Sequence, residues 1–144
     1  YTIDVAEGGE KAITYRLEFP SSDKIKYNFI GIYDGDMRER LDTSKLNWKW
    51  LFLPGNKALE ELYREYLHVP ENLEKFCEIV GKEKKQIITM LATIDGNDYH
   101  DWFEELRKFL GIDGKMLVRN FYRIMQEMDK EIEEFIAELK KSIA

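Results

Sequence analysis

Tyr27-Asn28-Phe29-Ile30-Gly31-Ile32-Tyr33-Asp34-Gly35-Asp36 is an apolar and aromatic run that stops abruptly at two carboxylates flanking a glycine. A continuous run of this kind belongs to a strand buried on both faces, as in the centre of a parallel sheet covered by helices. Upstream, Thr2 to Val5 is short and β-prone. Glu7-Gly8-Gly9 then makes a turn into a helix start at Glu10-Lys11-Ala12, and Pro20-Ser21-Ser22-Asp23 breaks the chain before the central run. Downstream, Met37 to Leu46 is compatible with a short helix, and Trp48-Lys49-Trp50-Leu51-Phe52-Leu53 reads as a third strand ending at Pro54-Gly55. Strands separated by helix-compatible segments predict a parallel α/β layer over residues 1–56.

Past Pro54-Gly55 the pattern changes to helix, giving a second region over 57–144 expected to pack on the first. Ala58 to Leu67, Glu71 to Ile79, Lys82 to Thr93, Asp98 to Leu110 and Lys115 to Ile143 place apolar residues three and four apart. Pro70, Gly81, Gly96, Gly111 and Gly114 mark the joins. Ile124, Met128, Ile132, Phe135, Ile136 and Leu139 share one face of the last helix, which core packing explains better than a partner interface. Cys77, the single cysteine, lies with Leu73, Phe76 and Val80 at helical spacing, so it reads as a small buried residue, and an internal disulfide is excluded.

Hydrophobic residues make up 44% of the 144-residue chain and charged residues 35%, an ordinary globular balance for one core. No apolar run is long enough to span a bilayer and the N-terminus lacks a signal-peptide layout, so a cytoplasmic location with no membrane partner is expected. The 22 basic and 28 acidic residues leave a net charge of −6, the wrong sign for holding nucleic acid by bulk charge. Phosphate binding has to be local or metal-bridged. The chain starts at Tyr1 and runs directly into a strand-like stretch, as a piece of something longer would.

The chemistry concentrates at Asp34-Gly35-Asp36. Ligands in open α/β sheets bind beyond the carboxyl ends of the strands, and residues at i and i+2 past a strand end can both turn toward one point if the residue between them bends freely. Two carboxylates so close repel each other unless a cation lies between them, and Mg²⁺ or Mn²⁺ are the natural oxygen-liganded occupants. A polar turn that caps a helix is the competing explanation of the same residues. Arg38 follows at the opening of the next helix and would be available to a phosphate, though a surface salt bridge also accounts for it. Lys57, just past Pro54-Gly55, could reach a phosphate near the site, though a solvent lysine explains it better.

The order glycine turn and helix, then FIGIYDGDMR at 29–38, then WLFLPGN at 50–56 followed by KALEELYREYL at 57–67, resembles the Toprim domain of the overcoming-lysogenization-defect (OLD) family of ATP-dependent endonucleases. The likeness extends to YHDWFEELRKFLG at 99–111, and its distinctive blocks are Asp-Gly-Asp and Leu-Pro-Gly-Asn. It implies that Asp34 and Asp36 are catalytic metal ligands. It also implies that an acidic residue after the next strand, Glu60 or its neighbour Glu61, helps to hold a second ion. Two-metal phosphodiester hydrolysis would make DNA the substrate, with Mg or Mn as cofactor. The family normally opens with a strand ending in a glutamate. Glu7 superficially fits, but the stretch to Asp34 is too short for the strand, helix, strand and helix that should intervene. Glu7 is therefore expected to close the second strand, with the first strand missing, and it stands as a secondary site candidate beside the plain turn carboxylate. The sequence contains no Gly-x-x-x-x-Gly-Lys-Ser/Thr loop, so an ATPase partner domain would lie N-terminal in a longer chain.

Two other functions compete. A haloacid-dehalogenase-like phosphatase would use Asp34 as nucleophile, but that pattern expects Gly-Thr after Asp-x-Asp, where Met37-Arg38 stands. A non-catalytic assembly module would keep the Toprim outline and use the helical tail to form a homo-oligomer. Among the remaining polar residues, His100-Asp101-Trp102 reads as a helix cap entering the core and His68 as a helix-end residue. Trp48 and Trp50 share one strand face as packing groups.

Overall fold

The computed structural model describes residues 8–20, 28–125 and 130–144. Thr2–Val5, Glu7 and Tyr27 lie outside them. The chain forms two compact units, Tyr1–Lys57 with Glu131–Ala144, and Ala58–Lys130. The last helix, read from sequence as part of the 57–144 region, thus groups with the strands.

In the first unit, α1 (Gly9–Glu18) precedes two short strands, β1 (Ile30–Tyr33) and β2 (Lys49–Phe52), and α7 (Lys130–Ile143) joins them at the chain's end. The strands pair in parallel, with Ile30 opposite Lys49 and Tyr33 opposite Phe52, as the apolar runs predict. Gly31 sets the depth of helix on strand, since a Cβ there would lie 2.5 Å from Leu17 Cδ1 and 3.0 Å from Ile13 Cγ2. Leu17 and Tyr33 are consequently among the most buried side chains, and the Tyr33 hydroxyl meets Thr14 Oγ1 at 3.0 Å. A helix leaves its last carbonyls without partners. Those at the end of α1 are met from the approach to β2. Asn47 N–H donates to the Leu17 carbonyl at 2.8 Å, Asn47 Nδ2 to Glu18 at 2.7 Å, and Trp48 Nε1 to Phe19 at 2.8 Å. This is the packing role expected of Trp48, whose ring also stands edge-on to Phe29.

The expected short helix over Met37–Leu46 is instead two 3-10 turns, Gly35–Glu39 and Thr43–Lys45. Asp42 intervenes with an extended backbone, and its carboxylate accepts from both Ser44 N–H (3.1 Å) and Ser44 Oγ (2.6 Å). That local bonding competes with a continuous helix.

The second unit holds α2 (Leu59–Leu67), α3 (Pro70–Val80), α4 (Lys84–Ile94), α5 (Tyr99–Leu110) and α6 (Gly114–Met125). The run read as one helix from Lys115 to Ile143 is described as α6 and α7, with 126–129 between them not described. Gly81 and Gly111 end α3 and α5 in the left-handed conformation, where a Cβ is penalised. Glu83 and Gln86 form a reciprocal capping box on α4, and Asp98 caps α5 through His100 N–H at 3.0 Å. The core centres on Phe121, stacked on Tyr63 at 4.2 Å between ring centres and on Phe76 at 5.0 Å, with Trp102, Leu106 and Leu117 fully enclosed. Each such side chain contributes about 2–3 kcal/mol of burial. Cys77 is buried in α3, and burial pushes its thiol pKa up, which suppresses the reactive thiolate.

Candidate functional site

Because β1 and β2 are parallel, their carboxyl ends emerge on the same edge. Leu53 N–H continues the ladder by donating to the Tyr33 carbonyl at 2.8 Å. The chain then turns at Asp34, whose backbone is extended (φ −60°, ψ 154°) and whose carbonyl accepts from Met37 N–H at 3.1 Å to open the first 3-10 turn. Gly35 is buried against the loop that leaves β2. A Cβ on it would sit 2.4 Å from the Gly55 carbonyl oxygen, 2.8 Å from the Gly55 carbonyl carbon and 3.2 Å from the Lys57 carbonyl oxygen. All three are backbone atoms, so the approach requires glycine. Gly55 itself has φ +84°, open to glycine far more than to other residues. The two blocks most distinctive in the sequence, Asp34-Gly35-Asp36 and Leu53-Pro54-Gly55-Asn56, are thus in backbone contact at one strand-end edge through Gly35 and Gly55.

Asp34 and Asp36 are both half-buried. The Asp36 carboxylate accepts from Arg40 Nη1 at 2.9 Å, an i,i+4 pair open to solvent on both sides. Such pairs are worth about 0–1 kcal/mol, which a divalent cation easily outweighs. The Asp34 side chain makes no cap hydrogen bond to the turn that follows it, the role the polar-turn explanation would give it. Two hard oxygen donors on an accessible loop fit Mg²⁺ or Mn²⁺, which are commonly held by one or two carboxylates with water and substrate phosphate completing the shell. Among the described residues, no group of three or more His, Cys, Asp or Glu comes together that could hold a metal ion.

Arg38 is held at the same edge. Its Nη2 donates to the Leu53 carbonyl at 3.2 Å and its guanidinium lies 4.9 Å from the centre of the Phe52 ring. Lys57 contributes its carbonyl to the Gly35 contact. Glu60 and Glu61 fall in the second unit, in the first turn of α2, where Glu60 Oε1 stands 3.7 Å from His100 Nδ1. Glu7 lies outside the described residues. His68 ends α2 as expected, its ring nitrogens facing the Arg64 carbonyl (2.6 Å) and Asp95 Oδ2 (3.1 Å), while Asp95 Oδ1 accepts from Trp102 Nε1 at 3.0 Å. These contacts join helix ends and are structural.

The sequence reading missed the contribution of α7. Glu131, Glu134, Phe135 and Glu138 line a depression of about 620 Å³ with Arg38, Phe52, Pro54, Gly55 and Asn56. Gly55 N–H donates to Glu131 Oε2 at 2.9 Å. The available signal was the spacing of the three glutamates at i, i+3 and i+7, which puts them on one helical stripe. The apolar face of the same helix drew the attention instead. Among the described residues no helix is long and apolar enough to cross a membrane. Comparison with protein-family models, with curated proteins and with solved structures gave no match to this chain.

Proposed function

We propose that the chain carries the metal-binding core of a Toprim-type DNA endonuclease, in which Asp34 and Asp36 hold Mg²⁺ or Mn²⁺ for phosphodiester hydrolysis and an ATPase domain elsewhere in a longer chain governs the reaction. The observation that carries this reading is the seating of Gly35 on the Gly55 carbonyl, which brings the Asp-Gly-Asp and Pro-Gly-Asn blocks together at the carboxyl edge of a parallel strand pair. When bound, the ion supplies water activation and neutralises charge developing on the phosphate. The chain's own groups do the positioning. Arg38, braced by the Leu53 carbonyl and the Phe52 ring, presents a fixed cation to a phosphate oxygen. The Gly55 N–H beside it donates to Glu131 Oε2 in this structure. Glu60 and Glu61 enter the proposal only through the resemblance, as ligands of a second ion.

The test is Mn²⁺ binding by calorimetry, paired with DNA cleavage by the ATPase-bearing parent. Asp34→Ala and Asp36→Ala should each abolish both, while Asp42→Ala, an exposed aspartate hydrogen-bonded to Ser44, should leave them intact. A parent that still cuts DNA after both substitutions would remove the catalytic claim. Phosphoryl transfer to Asp34 with DNA left whole would move the protein to the phosphatase class.

A further inference from the structure

Helix α7 borders the strand-end edge with the Glu131 carboxylate and with Phe135, and buries little apolar surface. Of its residues only Ile132 is buried, and Phe135, Ile136 and Leu139 are half-buried. Glu131 nevertheless reaches the loop beyond β2 and takes the Gly55 N–H at 2.9 Å, while Glu134 and Glu138 face the same depression as Arg38. A carboxylate oxygen accepting from a loop amide near a guanidinium stands where an oxygen of a phosphodiester would be received. Elements with little buried apolar surface open at low cost.

The geometry points to α7 as a competitive lid: Glu131 occupies the Gly55 amide in the closed state, and DNA binds when α7 leaves the depression. This rests on the reading of the edge as a phosphodiester site and adds its regulation. The three glutamates on the depression side make the closed form repel a polyanion, so closure and DNA binding exclude each other electrostatically as well as sterically.

The experiment measures binding of a fluorescent DNA duplex by the intact chain in Mg²⁺, with hydrogen exchange at the Gly55 amide read alongside. Glu131 is exposed, so Glu131→Ala leaves the fold in place. If the open form is about one molecule in ten, removing the latch should tighten apparent binding about tenfold, and the Gly55 amide should exchange faster. Glu133→Ala removes the same charge from an exposed α7 position that does not line the depression, and should change neither. Equal tightening by both variants would reduce the effect to net charge and overturn the lid. So would unchanged exchange at Gly55 in Glu131→Ala. DNA binding that is lost on Asp34→Ala but indifferent to Glu131→Ala would overturn the lid while leaving the site reading standing. No binding by wild type, Glu131→Ala or Glu133→Ala would overturn both.

Discussion

A methyl group added at Gly31 and one added at Gly35 would meet different obstacles. At Gly31 the nearest atom is the tip of Leu17, a buried side chain that has to shift but whose end can turn about its own bonds. At Gly35 it is the Gly55 carbonyl, fixed by the backbone on both sides. Gly35→Ala is therefore expected to cost about 2–3 kcal/mol and Gly31→Ala about 1 kcal/mol, both as overpacking, measurable by urea denaturation. Only Gly35→Ala should also weaken Mn²⁺ binding, since it alone pushes the two loops apart. Tyr33 gives a second residue-scale prediction. Burial pushes its phenol above the ordinary value, an effect partly offset by the Thr14 hydrogen bond. A raised folded-state pKa contributes stability that is complete below the unfolded value of about 10 and is lost as pH climbs through the folded value. Tyr33→Phe should lose about 1 kcal/mol at neutral pH for the missing hydrogen bond. It should also blunt the alkaline loss of stability expected of wild type.

Among the elements, α5 holds a carboxylate whose pKa environment is explicit. Hydrogen bonds from the Arg107 guanidinium hold the Glu104 carboxyl below its ordinary value. For a depressed carboxylate the stabilisation is present above the unfolded value and lost as pH falls through the folded one, so the window is acid, below about pH 4. Glu104→Gln should give up that small, solvent-screened stabilisation at neutral pH and match wild type in acid, so its acid limb is flatter, followed by circular dichroism against pH. The elements also show what the sequence made legible. The strand ending at Asp34 and the strand ending before Pro54 were readable because a run of apolar side chains followed by a glycine or proline turn has few other solutions. The helices of the second unit were readable because glycines and Pro70 fell at their ends. The stretch from Met37 to Leu46 was not. Its composition allows a helix, and only the Asp42 side chain's bonds to Ser44 decide against one. The backbone contact between Gly35 and Gly55 was likewise out of reach, since the sequence announces two glycine turns without stating that they touch. Glu131 was invisible for a related reason, being far along the chain from the loop it caps.

At the scale of the whole molecule, charge sets the terms of any encounter with nucleic acid. With a net charge of −6 the chain repels a polyanion on average. DNA binding should therefore vanish in EDTA, return with Mg²⁺ or Mn²⁺, and show a shallow dependence on monovalent salt because few phosphate contacts are made by side chains directly. Fluorescence anisotropy across a salt series checks this, and strong binding in EDTA would count against a metal-bridged mode. The parallel pairing of β1 and β2 carries one last implication. No two-residue hairpin can join such strands, so the two loops meet only through the crossover that runs between β1 and β2. Asp34 and Asp36 stand two residues apart in the chain, yet a peptide cut around them would lack the Gly55 carbonyl against which Gly35 sits: that edge belongs to the tertiary structure alone.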